Sequence, residues 1–497
     1  MSPNITLSWV LALAPEIGLL VVLFMVLVFD KLFKPADRRQ VGLFTAWGAL
    51  AVLVMTVALY WVLDQPSAGW GVEDSLFWGG MMRNDLVTFV FRLMFLSALF
   101  LTSLLSMDVP RLQKVEYFAL LITATIGFSL MAASTDLIMV YMALETASIS
   151  SYLLAGFYSG QTRSSEAGMK YFIYGAFTTA VMVYGMSLLY GVTGQTSLYF
   201  IGDLFSGPEI AAVQPLVLLA AVLITVGFAF KTSLVPYHFW TPDVYEGAPT
   251  PFVGMLSTAS KAAGFAVLLR VFLSGTLGPA NTGSEWWAML VAMCIITMTL
   301  GNLVAIFQTN IKRLLAYSSI AQAGYTLIGL VTLTQDGSGA SMFYLLMYVF
   351  TNIAAFGVIV IISNVTQSDE LKDLSGLNRR SPFLALVMLV AVLSLSGIPP
   401  TAGFFGKFFL FKAAIDAGFW WLALIAIVNA FIALYYYLGI IKYMYLYRSE
   451  EDDVSIPVSR AAQVGLVVST VFIIYLGVIA GPAFELTRQA AASFFPG

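Results

Sequence analysis

KTSLVPYHFWTPDVYEGAPTP, residues 231–251, closes an apolar run over 214–233 and places Pro236, Pro242, Pro249 and Pro251 within sixteen residues. Proline has no N–H to donate and its ring clashes with the preceding turn, so the helix entering this stretch is broken here. A second break lies in LSLSGIPPTAGFFGKFFLFK, residues 393–412, where Pro399 and Pro400 stand between Gly397 and Gly403. Both breaks interrupt segments apolar enough to cross a bilayer. Carbonyls freed at that depth must find water or polar side chains, so irregular backbone in a membrane lines a cavity. Each break is flanked by a lysine: Lys231 is five residues before Pro236, and Lys407 is seven after Pro400.

The composition outward from the breaks fits this setting. Of 497 residues, 60% are hydrophobic and only 10% charged, with a mean hydropathy of +0.88. Soluble domains carry about 25% charged and roughly 45–50% apolar residues. The excess is what lipid solvation demands, and it defines an integral membrane protein. A net charge of −3, with no basic patch, argues against a nucleic-acid partner. One cysteine, Cys294, and one histidine, His238, exclude a disulfide framework, an iron–sulfur cluster, a Cys/His zinc site and bis-histidine haem within the chain. Neither a dinucleotide-binding glycine motif nor a P-loop is present. The opening MSPNITLSW lacks the positive n-region of an export signal, so the first apolar stretch is expected to be a spanning helix.

Counting about 20 apolar residues per crossing gives an all-α membrane fold of about fourteen spans: 9–29, 42–63, 86–107, 118–134, 137–158, 171–192, 214–233, 251–273, 286–307, 315–334, 341–364, 383–416, 419–447 and 461–481. Loops after odd-numbered helices hold fifteen lysines and arginines, among them Lys31 and Lys34, and the opposite loops and tails hold two, Arg83 and Arg488. By the positive-inside rule both termini lie outside, on the periplasmic or equivalent face. A shift of 173 residues superposes Tyr152 on Tyr325, Gly156 on Gly329, Tyr171 on Tyr344 and Phe177 on Phe350. Helices five and six then repeat as ten and eleven, and an odd shift inverts the second copy. Inverted repeats with broken helices at their interface are a recurrent transporter design. The expected organisation is one polytopic domain over 1–497. It comprises an N-terminal three-helix segment (1–117), a first repeat (118–285, helices four to eight), a second repeat (286–418, completed by helix thirteen) and C-terminal helices (419–497).

Seven basic residues fall inside spans: Arg92, Lys231, Lys261, Arg270, Lys407, Lys412 and Lys442. Acidic company is scarce, with Glu16 and Glu145 the clear cases. A charge at the bilayer centre costs roughly 2.5–3.5 kcal/mol even on the lenient insertion scale, and such residues mark ion or proton paths. Glu145, in YMALETASISSYL, and Lys261, in STASKAAGF, are near mid-span among small and hydroxyl residues. With the break-flanking Lys231 and Lys407 they form the candidate proton-transfer set, and His238 in the first break is a possible accessory. Arg270, Lys412 and Lys442 lie toward helix ends, where long side chains are expected to reach the interface. Desolvation lowers a lysine's pKa and a nearby carboxylate raises it. A unit pair at 4 Å interacts by roughly 4 kcal/mol at an effective dielectric near 20, so making or breaking a Glu–Lys contact can load or discharge a lysine. Tyr317, Ser318, Ser319, Gln322, Asn352 and Asn429 add polar groups to later spans, read individually as interhelical hydrogen bonding.

FKTSLVPYHFWTPDVYEGAPTP followed by STASKAAGF resembles the signature of the antiporter-like membrane subunits of complex I, the proton-translocating NADH:quinone oxidoreductase. The resemblance covers essentially the whole chain. In the sibling L and M chains and the Mrp-type antiporters, the segment after the first break resembles L-P-D-A-H and helix eight typically carries a histidine. Here those positions read TPDVYEGAPTP and Lys261, which resembles the N branch, related to mitochondrial NADH dehydrogenase subunit 2. The missing C-terminal lateral extension also separates it from the L chain. The resemblance implies that Glu145 tunes Lys231, that Lys261 connects, that Lys407 leads to the external exit, and that His238 matches the histidine after the first break. It further implies a translocase subunit of the bacterial inner membrane, with no redox catalysis or cofactor in this chain. Flavin and iron–sulfur clusters are then expected in partner subunits. The expected neighbours are the antiporter-like M chain, the small K and J chains and the lateral helix of the L chain. Alternatives are a stand-alone or Mrp-like cation/proton antiporter and a non-pumping membrane scaffold; the helix-eight lysine and the DVYEG segment weigh against the first, and four costly charges against the second.

Overall fold

A computed structural model of the chain describes residues 7–29, 38–63, 75–205, 210–274, 284–448 and 454–495. Lys31 and Lys34, used above in the charge count, lie outside these. Among the described residues twelve helices are long and apolar enough to cross a membrane, and two shorter apolar helices, Ala14–Phe29 and Pro382–Ser396, stand at the first and twelfth expected spans. The protein is thus a nearly all-helical, multi-pass membrane protein. Its helices form a centre and a rim. Thr250–Leu273 is wholly enclosed by protein and Ile311–Val331 and Gln335–Thr366 are 94% buried, whereas Trp420–Tyr445 is 33% and Arg39–Val62 39% buried. The rim turns side chains such as Phe24, Trp47, Phe431 and Tyr435 outward, as a lipid-facing surface requires.

Several boundaries depart from the apolar runs. Helices six and eleven run Thr162–Thr193 and Gln335–Thr366, each 32 residues, and begin 173 residues apart. The first starts well before its apolar run because the polar turn TRSSEAGMK continues the helix to the basic face. Both helices end in a left-handed residue, Gly194 and Gln367. A two-stranded hairpin, Leu76–Phe77 with Met82–Arg83, follows the second span, and the amphipathic helix Ala480–Ala491 follows the last. Neither feature was apparent from hydropathy.

The twelfth expected span is two helices of 15 residues, Pro382–Ser396 and Ala402–Asp416. Gly397 ends the first half at φ +86°, a conformation glycine adopts without strain. Gly403 lets the second half pass close to the first: a Cβ there would lie 1.7 Å from the Ser394 carbonyl oxygen. In the first break, Ile210–Thr232 gives way to a short helix, Trp240–Gly247, before Thr250–Leu273 begins. Polar partners are supplied locally. Trp240 Nε1 donates to the Phe230 carbonyl at 3.0 Å, the Val235 amide to Thr297 Oγ1 at 3.0 Å, and Thr241 Oγ1 to Ser233 Oγ at 2.9 Å.

Two buried ion pairs lock the N-terminal helices to the rest. Arg92 donates to both Glu16 oxygens, each at 2.9 Å, and to the Ala12 carbonyl at 2.8 Å; Ser129 also hydrogen-bonds Glu16. Arg270 corrects the interfacial expectation. Fully buried, it forks onto Asp85 at 2.6 and 3.1 Å and onto Thr88 Oγ1 at 2.8 Å. Its end-of-helix position is occluded by the Leu86–Ser106 helix, whose N-cap is Asp85 itself. Burial acts to raise the Asp85 carboxyl, but the Arg270 and Arg83 guanidiniums outweigh it and bring it down to about 2. Lys412, by contrast, is exposed and pairs with Asp416 at 2.5 Å.

Candidate functional site

The lysines at the breaks and in the enclosed helix are buried and differ from the arginines in their partners. Lys231, 1% exposed in the last turn of Ile210–Thr232, donates to Ser148 Oγ at 3.1 Å and lies 5.6 Å above the Phe128 ring. Ser148 is one turn after Glu145 on Leu137–Ala155, a helix started by the Asp136 cap, which accepts from the Ile138 amide at 2.9 Å. Glu145 is half-buried and interacts with Lys231 electrostatically; no carboxylate lies within ion-pair distance of Lys231 among the described residues. The helix-five glutamate and the helix-seven lysine are therefore near enough to interact but form no ion pair, and the lysine's hydrogen bond goes to the Ser148 hydroxyl.

Lys261 follows a π-helical turn, Leu256–Ser260, a local widening that recurs at functional sites. Its ammonium donates to the Ser319 carbonyl at 2.8 Å and to Ser319 Oγ at 2.6 Å. Asn352 Nδ2 holds the turn through Ser257 Oγ at 2.5 Å. Lys407, 5% exposed, reaches back across the second break. It donates to the Leu395 and Ser396 carbonyls, both at 2.9 Å, with the Tyr325 ring 5.1 Å away. Those carbonyls belong to the last turn of the first half-helix, which the Gly397 break leaves without helical donors.

Ile311–Val331 supplies polar groups to both of the last two lysines, Ser319 to Lys261 and a hydrogen-bonded set beginning at Ser318 to the acceptor of Lys407. Ser318, next to Ser319, meets the Tyr437 hydroxyl at 2.5 Å. Gln322 donates to the same hydroxyl at 3.0 Å and to the Leu395 carbonyl at 3.3 Å, and Tyr344 donates to the Gln322 side-chain oxygen. Leu395 is also the acceptor of Lys407. Ser318 and Gln322 thus share the Tyr437 hydroxyl, Ser319 serves Lys261, and Asn429 does ordinary interhelical bonding to Thr299 Oγ1 at 3.1 Å. Tyr437 was missed: it lies in the run Tyr435–Tyr437, where only the helix register separates the buried Tyr437 from the exposed Tyr435.

His238 is buried in the first break, with the Pro236 backbone as its polar neighbour. Burial pushes it below its ordinary pKa. It lines a cavity of about 260 Å³ together with Pro242, Asp243, Arg313 and Tyr317. Among the described residues the three lysines make no carboxylate contact and donate to hydroxyl and carbonyl oxygens inside an enclosed helix bundle, an arrangement of a multi-pass membrane protein chemically able to hold and release protons in its interior.

The comparisons with known proteins agree. Residues 134–433 match the family described as NADH:quinone oxidoreductase/Mrp antiporter, transmembrane. The chain is 42% identical over 474 residues to NADH-quinone oxidoreductase subunit N of Moorella thermoacetica, covering 94% of this chain and 95% of that one. A chain of respiratory complex I from Thermus thermophilus superposes with a TM-score of 0.78 at 33% identity, covering 95% of this chain and 98% of that one. A chain of the Mrp complex from Dietzia sp. shares the fold alone, with a TM-score of 0.81 at 23% identity over 99% of this chain and 98% of that one. The chain belongs to the NADH:quinone oxidoreductase/Mrp antiporter family, in its subunit N branch.

Proposed function

We propose that the protein is a proton-translocating membrane-arm subunit of a respiratory NADH:quinone oxidoreductase. The observation that carries this reading is a set of buried lysines that donate to neutral oxygens, Lys261 to Ser319 and Lys407 to the Leu395 carbonyl, the latter continued by hydrogen bonds through Gln322 and Tyr437 to Ser318, the neighbour of Ser319 in the chain. A lysine bonded only to neutral oxygens can give up its proton without breaking an ion pair. In this reading Lys231 takes its charge state from Glu145, Lys261 connects, Lys407 passes the proton outward, and His238 serves the entry. Redox chemistry, with its flavin and iron–sulfur clusters, resides in partner subunits and drives the movement. The M, K and J chains and the lateral helix of the L chain are the proposed neighbours in a bacterial inner membrane, with both termini external. The equal 32-residue helices 173 residues apart support the reading of 118–285 and 286–418 as two inverted repeats.

The test is purification from the native membrane in mild detergent, followed by reconstitution. Flavin- and iron–sulfur-bearing partners should co-purify with NADH:quinone reductase activity. Lys231→Ala, Lys261→Ala and Lys407→Ala should each lower the protons moved per electron in complexes that still assemble. Isolation without those partners, with cation/proton exchange retained in liposomes, would establish the antiporter instead.

A further inference from the structure

The short helix Trp240–Gly247 carries a charge cluster that the lysine chain does not use. Asp243 accepts from Lys170 at 2.6 Å and from Arg313 at 2.8 Å, and Arg313 also reaches Glu246 at 2.9 Å. Asp243 and Glu246 are three residues apart and share one face of the helix, so one guanidinium spans both. Three segments are tied together: the start of Thr162–Thr193, the short helix and the start of Ile311–Val331. All lie on the protein's basic face.

Asp243 is a wall common to two cavities. On one side is a charged cleft of about 140 Å³, lined by Arg163, Glu166, Lys170 and Glu246, with Arg163 and Glu166 largely in solvent. On the other is the cavity of about 260 Å³ holding His238. Arg313 and Tyr317, one turn apart on the same helix, line that inner cavity as well. His238 is 4% exposed, and the Pro236 backbone in the same break is its polar neighbour. The cavity that His238 lines is the route by which water can reach its ring.

We propose that the Asp243–Arg313 pair is a latch between the outer cleft and the His238 cavity, and that its opening admits water and protons from the basic face. This rests on the proton-translocation reading above. The pair is suited to opening: both side chains are about one-third exposed, where ion pairs are weak and solvent-screened. Arg313 retains Glu246, and Asp243 retains Lys170, when the shared contact parts. The short helix then pivots without leaving a charge unpaired.

The assembled complex in vesicles with the basic face outward supplies the test. Cys294 is the only cysteine in the chain, so His238→Cys in a Cys294→Ser background gives one new thiol at the inner cavity. Its rate of modification by a membrane-impermeant, charged thiol reagent is read by mass spectrometry of this chain. Asp243→Asn and Arg313→Gln should each raise that rate about tenfold by shifting the latch toward its open state, and Asp243→Glu should restore it. Equal rates in all backgrounds overturn the latch. If the cysteine variant does not assemble, hydrogen exchange over residues 238–247 in Asp243→Asn decides the same question: faster exchange supports the latch, unchanged exchange refutes it. Lys231→Ala separates the two readings. If it stops pumping while labelling ignores Asp243, only the latch fails; if it pumps normally, the translocation reading fails whatever the labelling shows.

Discussion

Lys261 and Arg270 stand nine residues apart on one enclosed helix, and their partners give them opposite uses. Arg270 carries a guanidinium that stays charged and forks onto a carboxylate, so its work is mechanical. Among the described residues Lys261 hydrogen-bonds only the oxygens of Ser319, so its charge can change. Removing one member of a buried ion pair typically costs about 3–5 kcal/mol, and Asp85→Asn should reduce stability in detergent by that order. Because the Asp85 carboxyl is held at about 2, below its ordinary 3.8, its contribution is complete above the ordinary value and lost only as pH falls through about 2. The stability gap between wild type and Asp85→Asn should therefore stay constant from about pH 5 to 9; a gap that closes within that window refutes the assignment. The sequence exposed all seven basic residues in spans but not their pairing. Asp85 reads as a helix cap, and nothing in a 185-residue separation announces that Arg270 reaches it.

At the level of the element, proline made both breaks legible, and with them the positions of Lys231 and Lys407. The π-helical turn before Lys261 was not legible, because STAS has no residue that forbids an ordinary helix. Tyr437 was hidden for the related reason that a helix register, not a composition, buries it. The second break depends on two half-helices meeting at backbone distance. Gly403→Ala puts a methyl group onto the Ser394 carbonyl and should cost about 1–3 kcal/mol, the usual range for overpacking, seen as less assembled protein and a lower melting temperature. Gln322→Leu tests the relay at the same scale. It strands the Tyr344 hydroxyl and loosens the Leu395 carbonyl, a loss of about 1–3 kcal/mol per unsatisfied group. Proton transfer per electron should fall while quinone reduction by the partners continues; unchanged pumping would remove Gln322 from the path.

Across the whole molecule, the split between enclosed and lipid-facing helices followed from composition only in part. Thr250–Leu273 has a lower hydropathy than its neighbour Val213–Thr232, 1.5 against 2.3, yet Gln335–Thr366, 94% buried, reaches 2.4, so mean hydropathy does not sort enclosed helices from lipid-facing ones. The proposed orientation gives its own prediction: tags at either terminus should react with an impermeant reagent from the external side only, and labelling of the two ends from opposite sides would refute it. Enclosure also has a consequence for how the chain is made. Lys261 must leave the insertion machinery on a helix with no lipid-facing side, yet its acceptor, Ser319, lies 58 residues further along the chain. At about 5–20 residues per second of synthesis, the lysine waits roughly 3–12 s before that acceptor exists. Its helix is therefore expected to be held near the translocation channel until Ile311–Val331 arrives, so that the charged centre of the protein is closed from its later half backward.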